Sequence, residues 1–520
     1  MLADVIATLP LSIVLVTGCL VCLINLVNEG DNRFLGRITA LGFGLSILMS
    51  YLLWGREISA FSTGTFGLMM AMGKYEILVC AVLASIGLVV ALLSADEGAD
   101  SDCKLGSHYA LLNFAVLGMM VLASATNLVT LFLGFEIMSF AMYALSTLKR
   151  GSVFAVDAGI KYLVVGALAS GLMLYGMAFV YGETVVLDYA GIVTVLYGAQ
   201  PTGFLALGLT FLTVAFACKI ALVPFHHSTP DVYEGAPTSV AALMATGVKA
   251  ASVIAMARFF VMVVPASVIG WLAPDVFDAL WILAAVTMTV ANLIAIQQRS
   301  IKRMLGYSSI AHAGYLLVAI LAAHTAGDPS SPEWGSGMGS IFFYLFAYVL
   351  ANLAAFGVLS LFEKQANEHI TLDNIGGLAK QHGLAACILL VGMLSLAGVP
   401  PTGGFWGRLV IFRDALAADF DKFIWLVVIA SVNSVIGAFY YLRVILCAFM
   451  TDADGTTQSN PLRTTALAVL VVTALASLQI GIFPARWVGA SSIAAAGLPG
   501  QVSDVAEKKS IGSSNPELGY

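Results

Sequence analysis

Apolar runs of about 20 residues follow one another along the chain as far as residue 487, separated by short polar punctuation. At a rise of 1.5 Å per residue, a helix of that length crosses the ~30 Å hydrocarbon core of a bilayer. The pattern predicts fourteen spans, with approximate cores 5–27, 34–54, 75–95, 107–126, 127–148, 157–182, 202–223, 237–264, 276–298, 301–323, 339–362, 384–412, 422–450 and 464–487. Continuous apolarity, as over 75–95, excludes the strict alternation of a transmembrane β-barrel. The fourth and fifth spans nearly abut, with Thr126 and Asn127 between them. Residues 185–197 are apolar but short and carry Asp188, which suits an interfacial or re-entrant segment. The polar tail 499–520, with Gly, Ser and Pro, is expected to be mobile.

Composition sharpens this picture. Of 520 residues 60% are hydrophobic and 10% charged, with a mean hydropathy of +0.94. A soluble domain carries roughly 25% charged residues. A soluble enzyme, a disordered chain and a secreted disulfide scaffold are therefore excluded, and an all-α polytopic membrane protein remains. Net charge is −6 and no basic run exists, so nucleic acid is not an expected partner. Cys19 and Cys22 form a C-x-x-C inside an apolar run and are read as small packing residues. Arg33 is the first basic residue, so the first apolar run is expected to be an uncleaved span.

Basic residues orient the spans. Loops on one side hold Arg33, Arg37, Lys104, Lys149, Arg150, Arg299, Lys302, Arg303, Lys364, Lys380 and Arg463. The opposite loops and termini hold Arg56, Lys74, Arg413, Lys422, Arg486, Lys508 and Lys509. The positive-inside rule places the first side in the cytoplasm and both termini on the non-cytoplasmic side. Lys302 and Arg303, flanking the tenth span, are expected to be topology anchors.

Six basic residues fall within spans: Lys161, Lys219, Lys249, Arg258, Arg408 and Arg443. Glu136 is the acid near the middle of a span. A charge at the bilayer centre costs roughly 3 kcal/mol on insertion scales, so such residues face a polar interior and pair with one another. Structural ion pairs that orient helices are the alternative. A set on spans 5, 6, 7, 8 and 12 threads too much of the protein for one such pair, which points to a polar pathway. Lysine suits proton relay, because a low-dielectric surround or a moving carboxylate neighbour changes how firmly its amine holds a proton. Glu136 is placed to modulate a lysine, with Lys219 and Lys249 holding and passing the proton.

Two spans carry breaks. Pro224 follows Lys219 by five residues and frees the carbonyl of Ile220. In the twelfth span Pro400 and Pro401 precede Gly403 and Gly404, and Arg408 follows. Broken helices in the two halves are the sequence pointer to inverted repeats. Spans 7 and 12 run antiparallel, so Lys219 and Arg408 fall on the same membrane side of their breaks. His312, within the tenth span, is suited to bridge waters, or to sit as a satisfied core histidine. His226 and His227 lack a visible third ligand, and no metal site is expected.

The segment Pro224–Ala251, P-F-H-H-S-T-P-D-V-Y-E-G-A-P-T-S-V-A-A-L-M-A-T-G-V-K-A-A, resembles the helix 7–8 signature of the NADH-quinone oxidoreductase subunit N family. These are antiporter-like subunits of the membrane arm of respiratory complex I. D-A-G-I-K-Y-L-V-V-G-A-L-A-S-G from Asp157 is similar to the family's helix 6. The stretches from Arg299 to Tyr315 and from Leu396 to Arg408 resemble its helices 10 and 12. The resemblance covers about 105–450. The general pattern is shared with Mrp cation/proton antiporter subunits and membrane-bound hydrogenase subunits; T-P-D-V-Y-E-G-A-P is more particular to subunit N.

The resemblance implies fourteen helices, with a three-helix segment over 1–100, inverted five-helix repeats over 105–264 and 275–450, and a last helix within 460–490. It implies proton translocation, coupled to NADH-to-quinone electron transfer, in an inner membrane. No redox cofactor is expected in this chain; NADH, FMN, iron–sulfur clusters and quinone belong to other subunits. Expected partners are other membrane-arm subunits, the lipid bilayer, protons and internal water. The family's helix 5 glutamate falls on Glu136, its helix 7 and 8 lysines on Lys219 and Lys249, and its helix 10 histidine on His312. Asp157 takes the place of an acid at the start of helix 6, with Lys161 beside it. The helix 12 lysine is Arg408 here. Arginine does not deprotonate in proteins, so Arg408 is expected to steer protons as a fixed charge.

Overall fold

A computed structural model of the chain describes residues 2–27, 32–54, 58–62, 68–97, 105–149, 151–196, 202–264, 274–326, 332–363, 370–451 and 464–496. The tail expected to be mobile lies outside them. Among the described residues thirteen helices are long and apolar enough to cross a membrane. They correspond to the expected spans except the twelfth, which is divided into Gly383–Ala397 and Gly403–Ala418. Neither piece, at 15 and 16 residues, reaches across a ~30 Å core alone.

Three local features add to the sequence expectation. A small antiparallel hairpin pairs β1 (Ile58–Ser62) with β2 (Leu68–Met72) in an otherwise helical protein. It docks on the junction of spans 4 and 5, where Thr126 N donates to Met69 O at 3.2 Å and Thr126 Oγ1 to Leu68 O at 3.0 Å. Second, the short segment between spans 6 and 7 contains an eight-residue helix, Tyr189–Leu196, which buries Tyr189, Ile192, Val193 and Leu196 on one face. Third, the last span stops at Ile482, and Pro484 opens a separate helix, Pro484–Ala496, that packs along span 11. Proline suits a first helical position because its missing N–H would be unpaired there anyway.

Span 8 sits at the centre. Every residue of Lys249–Val263 is buried, and most of span 10, Ile301–Thr325, is buried too. Spans 6 and 13 instead keep Leu163, Val164, Leu168, Trp425, Val435 and Phe439 exposed. An outward apolar face is what lipid or a neighbouring membrane subunit covers.

The two breaks are the same turn built twice. Span 7 (Gly203–Ile220) ends at Ala221 in the left-handed region, φ 62°. Leu222 N donates to Ala217 O, Ala221 N to Cys218 O and Phe225 N to Leu222 O. In span 12 the left-handed residue is Gly398, φ 78°, and Val399 N, Gly398 N and Thr402 N donate to Leu394, Ser395 and Val399 oxygens. The bonds match one for one at a constant offset, which sets Leu396 opposite Lys219 and Arg408 opposite Asp231. Pro224, Pro400 and Pro401 are exposed on the chain's surface, where a residue without an N–H leaves no donor bare. Span 9 packs on the first turn, with Thr287 Oγ1 accepting from Val223 N at 3.1 Å. Span 14 packs on the second, where the Trp406 indole donates to Gly481 O at 2.8 Å.

Candidate functional site

Lys219 lies in the last turn of its helix and turns toward span 5 (Leu128–Ser146). Its Nζ donates to Ser139 Oγ at 2.6 Å and lies 4.6, 5.6 and 5.5 Å from the ring centres of Phe135, Tyr143 and Tyr162. Phe135, Ser139 and Tyr143 are spaced four apart and so share one helix face. The ammonium is held by one hydroxyl and the negative faces of three rings. Glu136 and Lys219 do not pair directly. Glu136 accepts a hydrogen bond from Ser170 of span 6, while Lys219 is bonded one turn further along span 5. The carboxylate and the amine each face a hydroxyl, Ser170 for one and Ser139 for the other.

A cavity of about 30 Å³ joins Lys219 to Lys249, lined also by Tyr162, Ala221, Thr229, Val232 and Tyr233. That is room for one or two water molecules, about 10–15 Å³ being the least one needs. Lys249 is 3% exposed and follows a single π-helical turn, Met244–Val248. Such turns inside α-helices cluster at functional positions. Its Nζ donates to the Ser309 carbonyl on span 10. The Ser309 hydroxyl accepts from Tyr348 at 2.9 Å and meets Tyr233 at 3.4 Å.

Beyond Ser309 the polar line continues through the second half. Ser308 Oγ bonds the Tyr441 hydroxyl, which lies 3.2 Å from His312 Nε2. His312 Nδ1 is 2.5 Å from the Tyr344 hydroxyl. Arg408 is 6% exposed, stacks 5.1 Å from the Tyr315 ring and donates to Ser434 and to the Leu396 and Ala397 carbonyls. These two carbonyls end the Gly383–Ala397 helix, where the backbone dipole attracts a cation. Glu136, Lys219, Lys249, His312 and Arg408 thus lie along one row of hydroxyls and charges. Ser139, Ser170, Tyr348, Tyr344 and Tyr441 complete it. Sequence reasoning passed over these residues because hydroxyls are common in apolar helices. Ser139 and Tyr143, three and seven residues after Glu136, were the available signal.

The remaining in-span charges serve other ends. Asp157 and Lys161 lie at the periphery: Lys161, 41% exposed at its side chain, sits 2.7 Å from both Asp157 and Asp231. Asp231 also pairs with Arg303 at 2.5 Å, and Arg303 with Glu234 at 3.0 Å. Arg258 makes a fully buried pair with Glu76 at 2.6 Å, a helix-joining ion pair from the edge of the third span. Arg443 donates to the last carbonyls near span 9, Ile296 and Gln298. Lys302, expected as a flanking anchor, is 1% exposed and bonds Ala236 O at 2.6 Å and Glu363 at 3.4 Å. Burial would raise Glu363, yet Lys302, the Thr238 N–H and Lys149 hold it below the usual carboxylate range. Among the described residues no three His, Cys, Asp or Glu side chains gather to hold a metal.

A many-span helical protein whose two broken helices are linked by a row of buried cations and hydroxyls has the build of an antiporter-like membrane subunit. The family model described as NADH:quinone oxidoreductase/Mrp antiporter, transmembrane, matches residues 125–437. NADH-quinone oxidoreductase subunit N of Trichlorobacter lovleyi is 38% identical over 484 residues, covering 92% of this chain and 94% of the relative. That of Nitrosomonas europaea is 34% identical over 493 residues, covering 94% and 98%. The chain belongs to the NADH-quinone oxidoreductase subunit N family. Among solved structures, a chain of respiratory complex I from Thermus thermophilus with bound aureothin is 33% identical, with a TM-score of 0.72 and coverage of 94% and 100%. The Mrp complex of Dietzia sp. matches at a TM-score of 0.80 and 19% identity, covering 96% and 98%. At that identity the likeness carries the fold and no function.

Proposed function

We propose that the chain translocates protons as a membrane-arm subunit of an NADH-quinone oxidoreductase in a bacterial inner membrane, with both termini on the non-cytoplasmic side. The observation that carries this reading is the cavity shared by Lys219 and Lys249. Two amines, that of buried Lys249 and that of half-buried Lys219, line one water-sized space and can exchange a proton through it, and neither is locked in a direct ion pair. A change at Glu136 alters the field at Lys219 and shifts which amine holds the proton. From Lys249 the route runs by Ser309 and Tyr348 toward His312 between its two tyrosines. Arg408 acts there as a fixed positive charge. NADH oxidation, with FMN, iron–sulfur clusters and quinone, takes place in partner subunits, which supply the driving signal.

The test is proton pumping in inverted membrane vesicles carrying Lys219→Ala, with NADH-quinone electron transfer and assembly measured alongside. Pumping is expected to fall sharply in an intact complex. Normal pumping would make Lys219 structural and leave the chain a scaffold.

A further inference from the structure

One wall of the cavity is the short helix Ser228–Gly235. Thr229, Val232 and Tyr233, three and four residues apart, share one face and line the cavity. Asp231 and Glu234 share another face and turn away from it. At eight residues this helix is far too short to hold itself. His227 before it makes no side-chain capping bond, and the broken turn precedes that. Its flanking helices hold it instead. Asp231 reaches Lys161 of span 6 with Oδ2 at 2.7 Å and Arg303 of span 10 with Oδ1 at 2.5 Å. Lys302 ties its far end through Ala236 O. Gly235 fits against span 6 because a Cβ there would collide with the Phe154 carbonyl oxygen.

The holding pairs are half exposed, with side-chain exposures of 26% for Asp231, 41% for Lys161 and 29% for Arg303. Exposed pairs of this kind are individually weak. Packing holds the helix as well, with Ser228, Pro230, Val232, Tyr233 and Gly235 buried, and the carboxylate bridging two such cations adds a polar tie at its exposed edge. Burial would raise Asp231, but its bonds to Lys161 and Arg303 hold it below the usual carboxylate range, so it stays an anion and carries no proton at neutral pH.

We propose that Ser228–Gly235 is a movable lid over the Lys219–Lys249 cavity and that Asp231 is its latch, a positioning residue that sets when the cavity meets bulk water. With the latch closed, protons taken up near Lys219 are kept for the onward route. With it broken, the cavity equilibrates with the bulk and protons slip back while electron transfer continues. The pumping consequence rests on the proposed proton-handling role; the lid itself does not.

The experiment uses the complete complex carrying Asp231→Asn, with Asp231→Glu as the conservative control. Amide hydrogen exchange over 228–238 is expected to quicken several-fold in Asp231→Asn, and protons moved per NADH to fall while NADH oxidation persists. Asp231→Glu is expected to recover both in part. Unchanged exchange in an assembled complex overturns the lid. Faster exchange with an unchanged proton yield overturns the latch as a control on pumping. Should Asp231→Asn fail to assemble, Arg303→Gln removes one cation, leaves Lys161 on Asp231, and faces the same two readouts. If Lys219→Ala pumps normally while Asp231→Asn quickens exchange, the proton-route reading fails and the lid stands.

Discussion

The turns at Ala221 and Gly398 share their backbone bonds and differ in where the cation sits. In the first, Lys219 precedes the turn, and its amine points into a hydroxyl, three rings and a cavity. In the second, Arg408 follows the turn and folds back on two backbone carbonyls and Ser434. At the position matching Arg408 the first half carries Asp231, which faces outward to two neighbouring helices. One turn has been furnished as a chamber beneath a lid, the other as a locked joint. A lysine with a single hydrogen-bond acceptor can lose its proton without leaving a bond network in ruins. A guanidinium clamped by carbonyls cannot, and has no chemical need to.

The largest effect that separates the two sites is expected from Arg408→Met. Removing the buried guanidinium strips two carbonyls of their donor, at about 1–3 kcal/mol for each group left bare. Native gels should show a loss of assembled complex, while Lys219→Met assembles and loses pumping. Equal assembly defects would erase the distinction.

The backbone offers the next test. Gly398→Ala places a Cβ 2.7 Å from Arg408 Nη1 in a left-handed position and is expected to destabilise by about 1–2 kcal/mol from conformation alone. Ala221→Gly relieves the same strain in the first turn and should raise the thermal midpoint slightly. A destabilising Ala221→Gly would show that the turns are not equivalent.

The smallest effect concerns acid. Asp231 is lowered in the folded protein, so its contribution is complete above the ordinary carboxylate value and is lost as pH falls through the lowered one. Protection of the 228–238 amides, measured against the intrinsic exchange rate at each pH, should therefore be flat near neutrality and fall only in acid. A loss of protection between pH 6 and 8 would assign the latch to another group.

Much of the architecture was legible in the sequence because lipid allows little else. Twenty apolar residues in a row read as a span, and prolines beside glycines read as a break. The hairpin was not legible, since five apolar residues at 68–72 carry no period strong enough to separate strand from helix end. Nor was the divided end of the chain, where Pro484 reads equally as a kink or a start. For the site, burial cost found Lys219, Lys249 and Arg408 but grouped them with Lys161 and Arg258. A charge in an apolar run looks alike whether it faces a cavity, a carboxylate such as Glu76, or the periphery. Only the partner's position, set by packing between distant segments, tells them apart. The hydroxyl partners of Glu136 and Lys219 were hidden for the same reason: two side chains on facing helices can each prefer a nearer hydroxyl.

The most direct measurement is proton pumping by a complex carrying Lys249→Arg, beside one carrying Arg408→Lys. Arginine keeps the charge of Lys249 and removes its ability to release a proton. If Lys249 passes protons and Arg408 only fixes a charge, Lys249→Arg should assemble, oxidise NADH and fail to pump, while Arg408→Lys keeps most of its pumping. Full pumping by Lys249→Arg would contradict the account, because a residue that never releases its proton cannot relay one.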